Sequence, residues 1–96
     1  MSLYRLTPAA QKDLSSIWDF TQGWWDAQQA EKYIREIQAA VERVADDPDR
    51  GHIRDEICEG YRSYVVGSHV VFHVTRSGRI DVIRVLHQRM DVGRHL

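Results

Sequence analysis

The sequence predicts an α+β fold in which a helical hairpin packs on an antiparallel sheet, in the order β-α-α-β-β-β. Apolar residues recur at helical spacing in the first half of the chain, whereas from residue 61 they alternate with polar ones. The turn-forming pairs Gly67-Ser68 and Ser77-Gly78 divide the second half into three short segments. Because the 96 residues contain no repeat, linker or low-complexity segment, we expect one domain over residues 1–96.

The first elements are a short strand, Leu3–Leu6, and a helix over residues 8–22. Thr7 can cap this helix, and Pro8 suits its first position because the missing N–H is not needed there. Gly23 is the expected end of the helix. The apolar stripe consists of Ala10, Leu14, Ile17, Trp18 and Thr21.

A second helix is predicted for residues 27–46. Asp26 is a suitable N-cap, and Gln29 three residues later resembles a capping box. The helix has to stop before Pro48, and with so short a connection the two helices form an antiparallel hairpin. The apolar stripe consists of Ala30, Tyr33, Ile34, Ile37, Val41 and Val44.

Residues 47–60 are polar and predict a loop, with Ile53 and Ile57 attached to the core. Three strands forming a meander follow, and we expect the first strand at the edge of the sheet beside them. The sheet face opposite the helices is expected to carry Arg62 and His73. The three strands are Tyr61–Val66, a segment from residue 68 or 69 to Thr75, and Ile80–His87.

The charge is distributed unevenly, although the net charge is only −1. Residues 1–60 carry seven Lys and Arg against twelve Asp and Glu, whereas residues 61–96 carry six Arg against two Asp. The basic second half, with four of the five histidines, suits an acidic partner or nucleic acid. Its cations are all Arg, which forms bidentate contacts with carboxylate or phosphate.

Composition also excludes several classes of protein. No segment approaches the roughly 20 apolar residues of a membrane span, and the N-terminus has no signal-peptide pattern. The single cysteine, Cys58, cannot form an internal disulfide, and we expect an ordinary half-buried thiol in a cytoplasmic protein. One Cys with scattered His predicts neither a metal site nor a cofactor.

Several stretches resemble the ParE branch of the RelE/ParE toxin superfamily, over nearly the whole chain. They are YRLTPAAQKDLSSIW (4–18), QAEKYIREI (29–37), GYRSYVVGSHVVFHV (60–74) and IRVLHQRMDVGRHL (83–96), of which the last two are the most specific. The resemblance implies the toxin of a type II toxin–antitoxin pair, with a ParD-like antitoxin as partner. ParE-like toxins poison DNA gyrase, whereas RelE-like relatives are ribosome-dependent mRNA endonucleases.

Residues near the end of the last strand are the candidates for contact with the target, because the resemblance is densest there. The alternatives are structural: His87 can pack and hydrogen-bond at the strand end, as can His69, and the charged residues can form solvated pairs or a helix cap. Contact with DNA is expected only through the antitoxin or gyrase. The candidates are Arg84, His87, Arg89, Met90, Asp91 and Arg94.

A second group of residues is expected to bind the antitoxin, whose acidic segment would fold on the basic half of the chain. Trp24 and Trp25 cannot both point inward, so one of them can anchor a partner, although both could instead cover the hairpin end. Charge reversal at Arg62 or Arg84 should weaken the complex in a salt-dependent way. The candidates are Trp24, Trp25, Tyr61, Arg62, Tyr64 and His73.

A non-enzymatic gyrase poison is favoured over an mRNA endonuclease. RNA cleavage requires an acid, a base and cations at the phosphate. RelE-like relatives place Lys and Arg on the sheet and a Tyr or His near the C-terminus. Here the segment Tyr64–Val66 has no cation, both lysines (Lys12 and Lys32) lie on the predicted helices, and the C-terminal tail has no tyrosine. No catalytic residue is therefore predicted. A chain that has lost toxicity and only binds an antitoxin is the remaining alternative.

Overall fold

The computed structural model describes residues 4–96 and contains three helices and five strands. The strands are β1 (Tyr4–Leu6), β2 (His52–Ile53), β3 (Tyr61–Val66), β4 (His69–Arg76) and β5 (Arg79–His87). The helices are α1 (Pro8–Trp24), α2 (Ala27–Asp46) and a short α3 (Val92–His95), and a 3₁₀ turn spans Pro48–Arg50. The predicted order of the elements is confirmed; Leu3 lies outside the described residues.

Both long helices begin at the predicted caps. The side chain of Thr7 accepts a hydrogen bond from the Ala10 N–H, and that of Asp26 accepts one from Gln29. The predicted end of α1 is wrong by two residues, because the helix continues through Gly23 to Trp24. There the Trp25 N–H still donates to the Thr21 carbonyl, so the helical hydrogen bonding runs past the glycine.

The sheet is mixed, which corrects the prediction of an antiparallel one. Its order is β1-β5-β4-β3-β2, and β1 runs parallel to β5 while all other pairs are antiparallel. The edge position of β1 beside the meander is confirmed. β1 pairs only with Ile80–Val82. Past the end of β1, side chains take over as hydrogen-bond partners of the β5 backbone. The hydroxyl of Thr7, the cap of α1, donates to the Ile83 carbonyl, and the Asp13 carboxylate of α1 accepts from the Val85 N–H.

The core lies between the helical hairpin and one face of the sheet, which we call the helix face. Val71 and Val85 pack there against Ile17, Ile37 and other buried apolar residues. Each buried aliphatic side chain of this size stabilises the fold by roughly 1.5–3 kcal/mol. Trp18, predicted to be core, is only half-buried.

Alternation along the strands assigns each side chain to a face. Arg62, Tyr64 and Val66 pair with His73, Val71 and His69, so all six lie on the helix face with the core residue Val71. The expectation that Arg62 and His73 occupy the opposite face is therefore wrong. The opposite face, which we call the outer face, carries Arg5, Tyr61, Ser63, Phe72, Val74, Arg76, Arg79 and Asp81.

Residues 47–60 wrap around the β2–β3 edge of the sheet. Gly51 lies over His73 on the helix face, while Arg54 reaches the outer face, where its guanidinium sits 5.7 Å from the centre of the Phe72 ring. Three predictions for this segment are wrong. The segment contains a 3₁₀ turn and strand β2 where a loop was expected, Ile53 is 62% exposed instead of attached to the core, and the Cys58 thiol is exposed instead of half-buried. Ile57 is half-buried.

Candidate functional site

Three side chains meet on the helix face, near the end of the helical hairpin at which α1 connects to α2. We call Tyr33, His69 and His87 the Tyr33 cluster. The Tyr33 hydroxyl lies 2.6 Å from His69 Nδ1 and accepts a 3.0 Å hydrogen bond from the Ser68 N–H. The His69 ring meets the His87 ring edge-on, with 5.3 Å between centroids. The tight turn at Gly67-Ser68 places His69 opposite Val66, and the pairing of β4 with β5 places His69 opposite His87.

His69 and Tyr33 are neutral at physiological pH. Burial lowers the pKa of His69, and the nearby His87 lowers it further, while burial raises the pKa of Tyr33. His69 Nδ1 and the Tyr33 hydroxyl share this hydrogen bond, and the tautomer of His69 determines which of the two donates. His87 accepts a 3.1 Å hydrogen bond at Nδ1 from the Arg89 N–H. Both rings therefore make the structural hydrogen bonds considered for them, and local contacts fix their orientation.

Large apolar side chains surround this cluster and face solvent. The exposed fractions are 68% for Phe20, 75% for Trp24, 72% for Trp25 and 46% for Met90. Two neighbouring clefts of about 330 Å³ each share Phe20, His69 and His87 as lining residues; Trp25 and Tyr33 line the first, and Met90 lines the second. The structure thus joins a predicted antitoxin contact, Trp25, to two predicted target contacts, His87 and Met90.

We call the exposed residues Phe20, Trp24, Trp25 and Met90, with His87, the hairpin-end surface. Sequence reasoning missed Phe20. Its spacing of four residues from Trp24 could have revealed it, because i,i+4 residues share one side of a helix. The two rings are 6.1 Å apart between centroids. Neither tryptophan is covered within the described chain, which contradicts the alternative that both close the hairpin end.

The predicted target contacts after β5 form a short C-terminal segment beside this surface. Arg89, Asp91 and Arg94 are exposed. Asp91 caps α3 by accepting a hydrogen bond from the Gly93 N–H, and its carboxylate lies 3.6 Å from Arg94. Asp91 therefore caps a helix and pairs with Arg94, which are the structural alternatives considered for the charged residues of this segment.

Arg84 is bound inside the chain. Its Nε and Nη2 donate to the two oxygens of Asp13 at 2.7 and 2.8 Å, and its Nη1 donates to the His95 carbonyl at 2.9 Å. The hydrogen bonds to Asp13 raise the pKa of Arg84 further, so it is always charged. Arg84 joins β5 to α1 and to the C-terminal segment. Reversing the charge of Arg84 would break these internal contacts, so a change in antitoxin affinity could not be attributed to lost contact with the antitoxin alone.

The remaining predicted antitoxin contacts are not part of the hairpin-end surface. His73 is fully buried, so its ring is inaccessible to another chain in this structure, which corrects its expected exposure. Arg62 donates to the Gly51 carbonyl at 2.8 Å and lies 3.5 Å from Asp49. Tyr64 is half-buried against the core, and Tyr61 lies on the outer face. The six predicted residues therefore do not form one surface.

Burial governs the protonation of His73. Neither ring nitrogen has a hydrogen-bond partner within residues 4–96, and burial, with the positive charge of Arg62, lowers its pKa to about 4.

Within the described chain, no group of three His, Cys, Asp or Glu side chains could hold a metal ion. No described helix is both long and apolar enough to cross a bilayer.

Comparison with known proteins assigns the family. A family model described as "ParE toxin of type II toxin-antitoxin system, parDE" matches residues 4–92. The chain belongs to the ParE toxin family. It is 54% identical over 96 residues to Toxin ParE1 of Mycobacterium tuberculosis (strain CDC 1551 / Oshkosh), covering 99% of this chain and 98% of that protein. It is 43% identical over 97 residues to Toxin ParE1 of Caulobacter vibrioides, covering 100% of this chain and 99% of the relative.

A solved structure supports the same fold. The structure titled "Chromosomal ParDE TA system from P. aeruginosa" matches with a TM-score of 0.78, covering 91% of this chain and 96% of that one. Sequence identity is 19%, so this likeness concerns the fold. The ParE family assignment therefore rests on the family model and the sequence relatives, and the resemblance noted in the sequence is confirmed.

Proposed function

We propose that this ParE-family toxin acts without catalysis by binding DNA gyrase through the hairpin-end surface, and that a ParD-like antitoxin neutralises it by covering that surface. The observation that carries the proposal is the concentration of exposed aromatic and thioether side chains, Phe20, Trp24, Trp25 and Met90, around clefts with fixed histidines. Both partners would act in the cytoplasm.

The exposed apolar residues favour a protein partner. Burying apolar surface contributes roughly 25 cal/mol per Å², and Trp is among the residues that dominate binding energy at interfaces. Clustered apolar exposure on a small domain marks an interaction site more often than scattered exposure does. Trp25 and Met90 line neighbouring clefts that share Phe20 and His87, so an antitoxin bound at the tryptophans would also block the C-terminal segment.

The geometry argues against the alternative of an mRNA endonuclease. Cleavage would need a cation beside His69 and His87 to stabilise a phosphate in the transition state. Of the two β5 cations, Arg84 has hydrogen bonds from all three guanidinium nitrogens to Asp13 and His95, and Arg79 lies at the other end of the strand. His69 Nδ1 and His87 Nδ1 are each engaged in a hydrogen bond as well.

The antitoxin part of the proposal also draws on the relatives. The matching family is described as the toxin of the parDE system, and the P. aeruginosa structure is titled as a ParDE system. An acidic antitoxin segment would meet the exposed Arg89 and Arg94 at the rim of the hairpin-end surface, where charges mainly affect the association rate and its salt dependence.

The test is a gyrase supercoiling and DNA-cleavage assay with purified, antitoxin-free protein, run beside a ribosome-dependent mRNA cleavage assay. We expect lost supercoiling or trapped cleaved DNA, with intact mRNA. Trp25→Ala and Met90→Ala should weaken both gyrase inhibition and antitoxin binding at least about tenfold, as for central interface residues. Cut mRNA with normal gyrase would contradict the proposal and favour the endonuclease.

Ile53→Ala is a matched control. Ile53 is 62% exposed, as large apolar residues of the hairpin-end surface are, but it lies on β2 at the far edge of the sheet. It should leave inhibition and antitoxin binding unchanged. A chain that binds the antitoxin but harms neither gyrase nor cell growth when expressed alone would indicate that toxicity has been lost.

A further inference from the structure

Three arginines surround one buried carboxylate on the outer face, far along the strands from the Tyr33 cluster. Arg5 of β1, Arg76 of β4 and Arg79 of β5 lie 3.6, 3.7 and 3.5 Å from the oxygens of Asp81. The Asp81 side chain is 2% exposed, whereas the arginine side chains are 54%, 59% and 42% exposed. We call these four residues the Asp81 cluster.

The cluster has a surplus of positive charge. One carboxylate faces three guanidinium groups, and Arg76 and Arg79 are direct cross-strand neighbours beside the Ser77-Gly78 turn. Like charges directly opposite each other destabilise a sheet. Asp81 relieves part of this repulsion and leaves two charges uncompensated within the cluster. The arrangement therefore favours an anionic ligand that brings further negative charge.

The arginines also retain hydrogen-bonding capacity. Asp81 Oδ1 has no hydrogen-bond partner within residues 4–96, and the arginine contacts with Asp81 are 3.5–3.7 Å ion pairs. Each guanidinium carries five N–H donors in a planar fork that matches phosphate oxygens. Asp81 thus holds the three side chains near one point while most of their donors remain available to solvent or to a ligand.

An aromatic residue extends this charged site across the sheet. Residue pairing places Arg5, Asp81, Val74 and Tyr61 in one row over β1, β5, β4 and β3. Val74 and Tyr61 are half-buried, so both retain surface on the outer face. Cations next to an aromatic ring on a sheet surface are the combination with which proteins bind single-stranded nucleic acid, stacking a base on the ring.

We propose that the Asp81 cluster binds the phosphodiester backbone of a nucleic acid, with a base stacked on Tyr61, so that a single strand binds better than a duplex. This departs from the expectation that the chain contacts DNA only through the antitoxin or gyrase. The site is distinct from the hairpin-end surface, since it lies on the outer face and at the other end of β4 and β5. It can therefore be present whether or not gyrase is the target.

An acidic protein segment is the competing ligand, and the surroundings favour nucleic acid. An acidic peptide offers charge without a ring that could stack on Tyr61, and the row offers one half-buried aromatic ring, two strands from Asp81, where an amphipathic segment would need an apolar groove. A phosphodiester chain supplies one charge per nucleotide together with a base whose face can stack on Tyr61.

The test measures fluorescence anisotropy of labelled 12-nucleotide DNA and RNA single strands and of a DNA duplex, titrated with antitoxin-free protein at several salt concentrations. Arg76→Gln/Arg79→Gln should weaken single-strand binding at least about tenfold at low salt and reduce the salt slope by about 1.4, since each neutralised phosphate contributes about 0.7. Tyr61→Leu should weaken binding several-fold without changing that slope.

Two further variants separate binding from folding. Lys32→Gln/Arg35→Gln removes two exposed charges from α2 and should leave binding within about twofold, because those cations lie away from the outer face. Asp81→Asn raises the surplus charge and should tighten binding. Weaker binding by Asp81→Asn would contradict the proposal, even if circular dichroism shows that the arginine double variant does not fold.

Comparable affinity of the wild type and Arg76→Gln/Arg79→Gln would overturn the proposal. So would binding of a labelled polyglutamate peptide, but not of any oligonucleotide, through Arg76 and Arg79. Comparison of the DNA and RNA single strands identifies which nucleic acid is preferred, and duplex binding stronger than single-strand binding would contradict the stacking role of Tyr61.

Discussion

His69 and His73 lie on the same strand and the same face of the sheet, four residues apart, yet their surroundings are opposite. His69 is half-buried, contacts the Tyr33 hydroxyl at 2.6 Å and borders a surface of exposed aromatic residues. His73 is fully buried beneath Gly51 and has no hydrogen-bond partner within residues 4–96. The first histidine borders the hairpin-end surface, and the second lies in the interior.

The difference shows that contacts from other elements, and not the strand pattern, determine what each histidine does. A half-exposed histidine ring that is hydrogen-bonded can support an interaction surface, because the hydrogen bond fixes its orientation. An unpartnered buried ring instead costs free energy whenever it takes up a proton. Changes near His73 should therefore act mainly on stability, whereas changes near His69 should act on stability less and on binding more.

The largest expected effect is a loss of stability in acid caused by His73. Its pKa is about 4 in the folded protein and near 6.5 in the unfolded chain, so between these values only the unfolded chain binds the proton. The free energy of unfolding should therefore fall as pH is lowered, by about 2 kcal/mol at pH 5 and about 3 kcal/mol below pH 4. Urea unfolding monitored by tryptophan fluorescence from pH 8 to pH 4 measures this dependence.

His73→Leu should remove most of this dependence between pH 7 and 5, leaving the smaller contribution of His69, whose pKa is also lowered. His52→Gln changes an exposed histidine and serves as the control. Equal pH profiles for the wild type and His73→Leu would mean that His73 can be protonated in the folded state, contrary to its environment here.

A somewhat smaller loss of stability is expected from Gly51→Ala, which tests how closely the Gly51 backbone packs over His73. A Cβ at this position would lie 2.6 Å from His73 Nε2 and 3.0 Å from Arg62 Cβ. The φ of −73° suits any residue, so only this proximity selects glycine. We expect a loss of about 2 kcal/mol, the range of overpacked cores, measured by urea unfolding at pH 7.5.

Gly23→Ala is the matched control for that substitution. Nothing lies within 4 Å of the added Cβ, and the position is helical, so it should be neutral or stabilise by up to about 1 kcal/mol. If Gly51→Ala were equally neutral, residues 48–53 would have to move away from His73 easily, and the two ends of β4 would differ less than described.

Much of the fold was predictable because it depends on local sequence. Thr7 and Asp26 act as caps, and Pro48 follows the end of α2, through contacts within a few residues. The turns at Gly67 and at Ser77-Gly78 require the positive φ values found there. The direction of β1 was not predictable in this way, since its parallel pairing with β5 joins residues more than 70 positions apart.

The site was less predictable, because its character depends on contacts between distant segments. Arg84 looked like a free cation, but Asp13 of α1 binds it. The face of His73 followed from the pairing of β3 with β4, and its burial from Gly51. Phe20 lies off the core stripe of α1, so a search for buried positions passed over it. Sequence alone therefore named Trp24, Trp25, His87 and Met90 as candidates, but it revealed neither Phe20 nor the proximity of these residues.

The smallest expected effect on stability is that of Tyr33→Phe, which sharpens the comparison at the His69 end. The substitution removes the acceptor for the Ser68 N–H and the contact with His69, and both groups can then bind water. We expect a loss of about 1 kcal/mol in urea unfolding, the usual value for a partly exposed hydrogen bond. Tyr64→Phe is the control, because that half-buried tyrosine packs on the same face and its hydroxyl makes no hydrogen bond within residues 4–96.

If the Tyr33 cluster fixes the shape of the two clefts, Tyr33→Phe should weaken gyrase inhibition and antitoxin binding more than Tyr64→Phe does. Equal effects of the two variants on binding would instead leave the aromatic residues of the hairpin-end surface as its main determinant and reduce the Tyr33 cluster to a structural support.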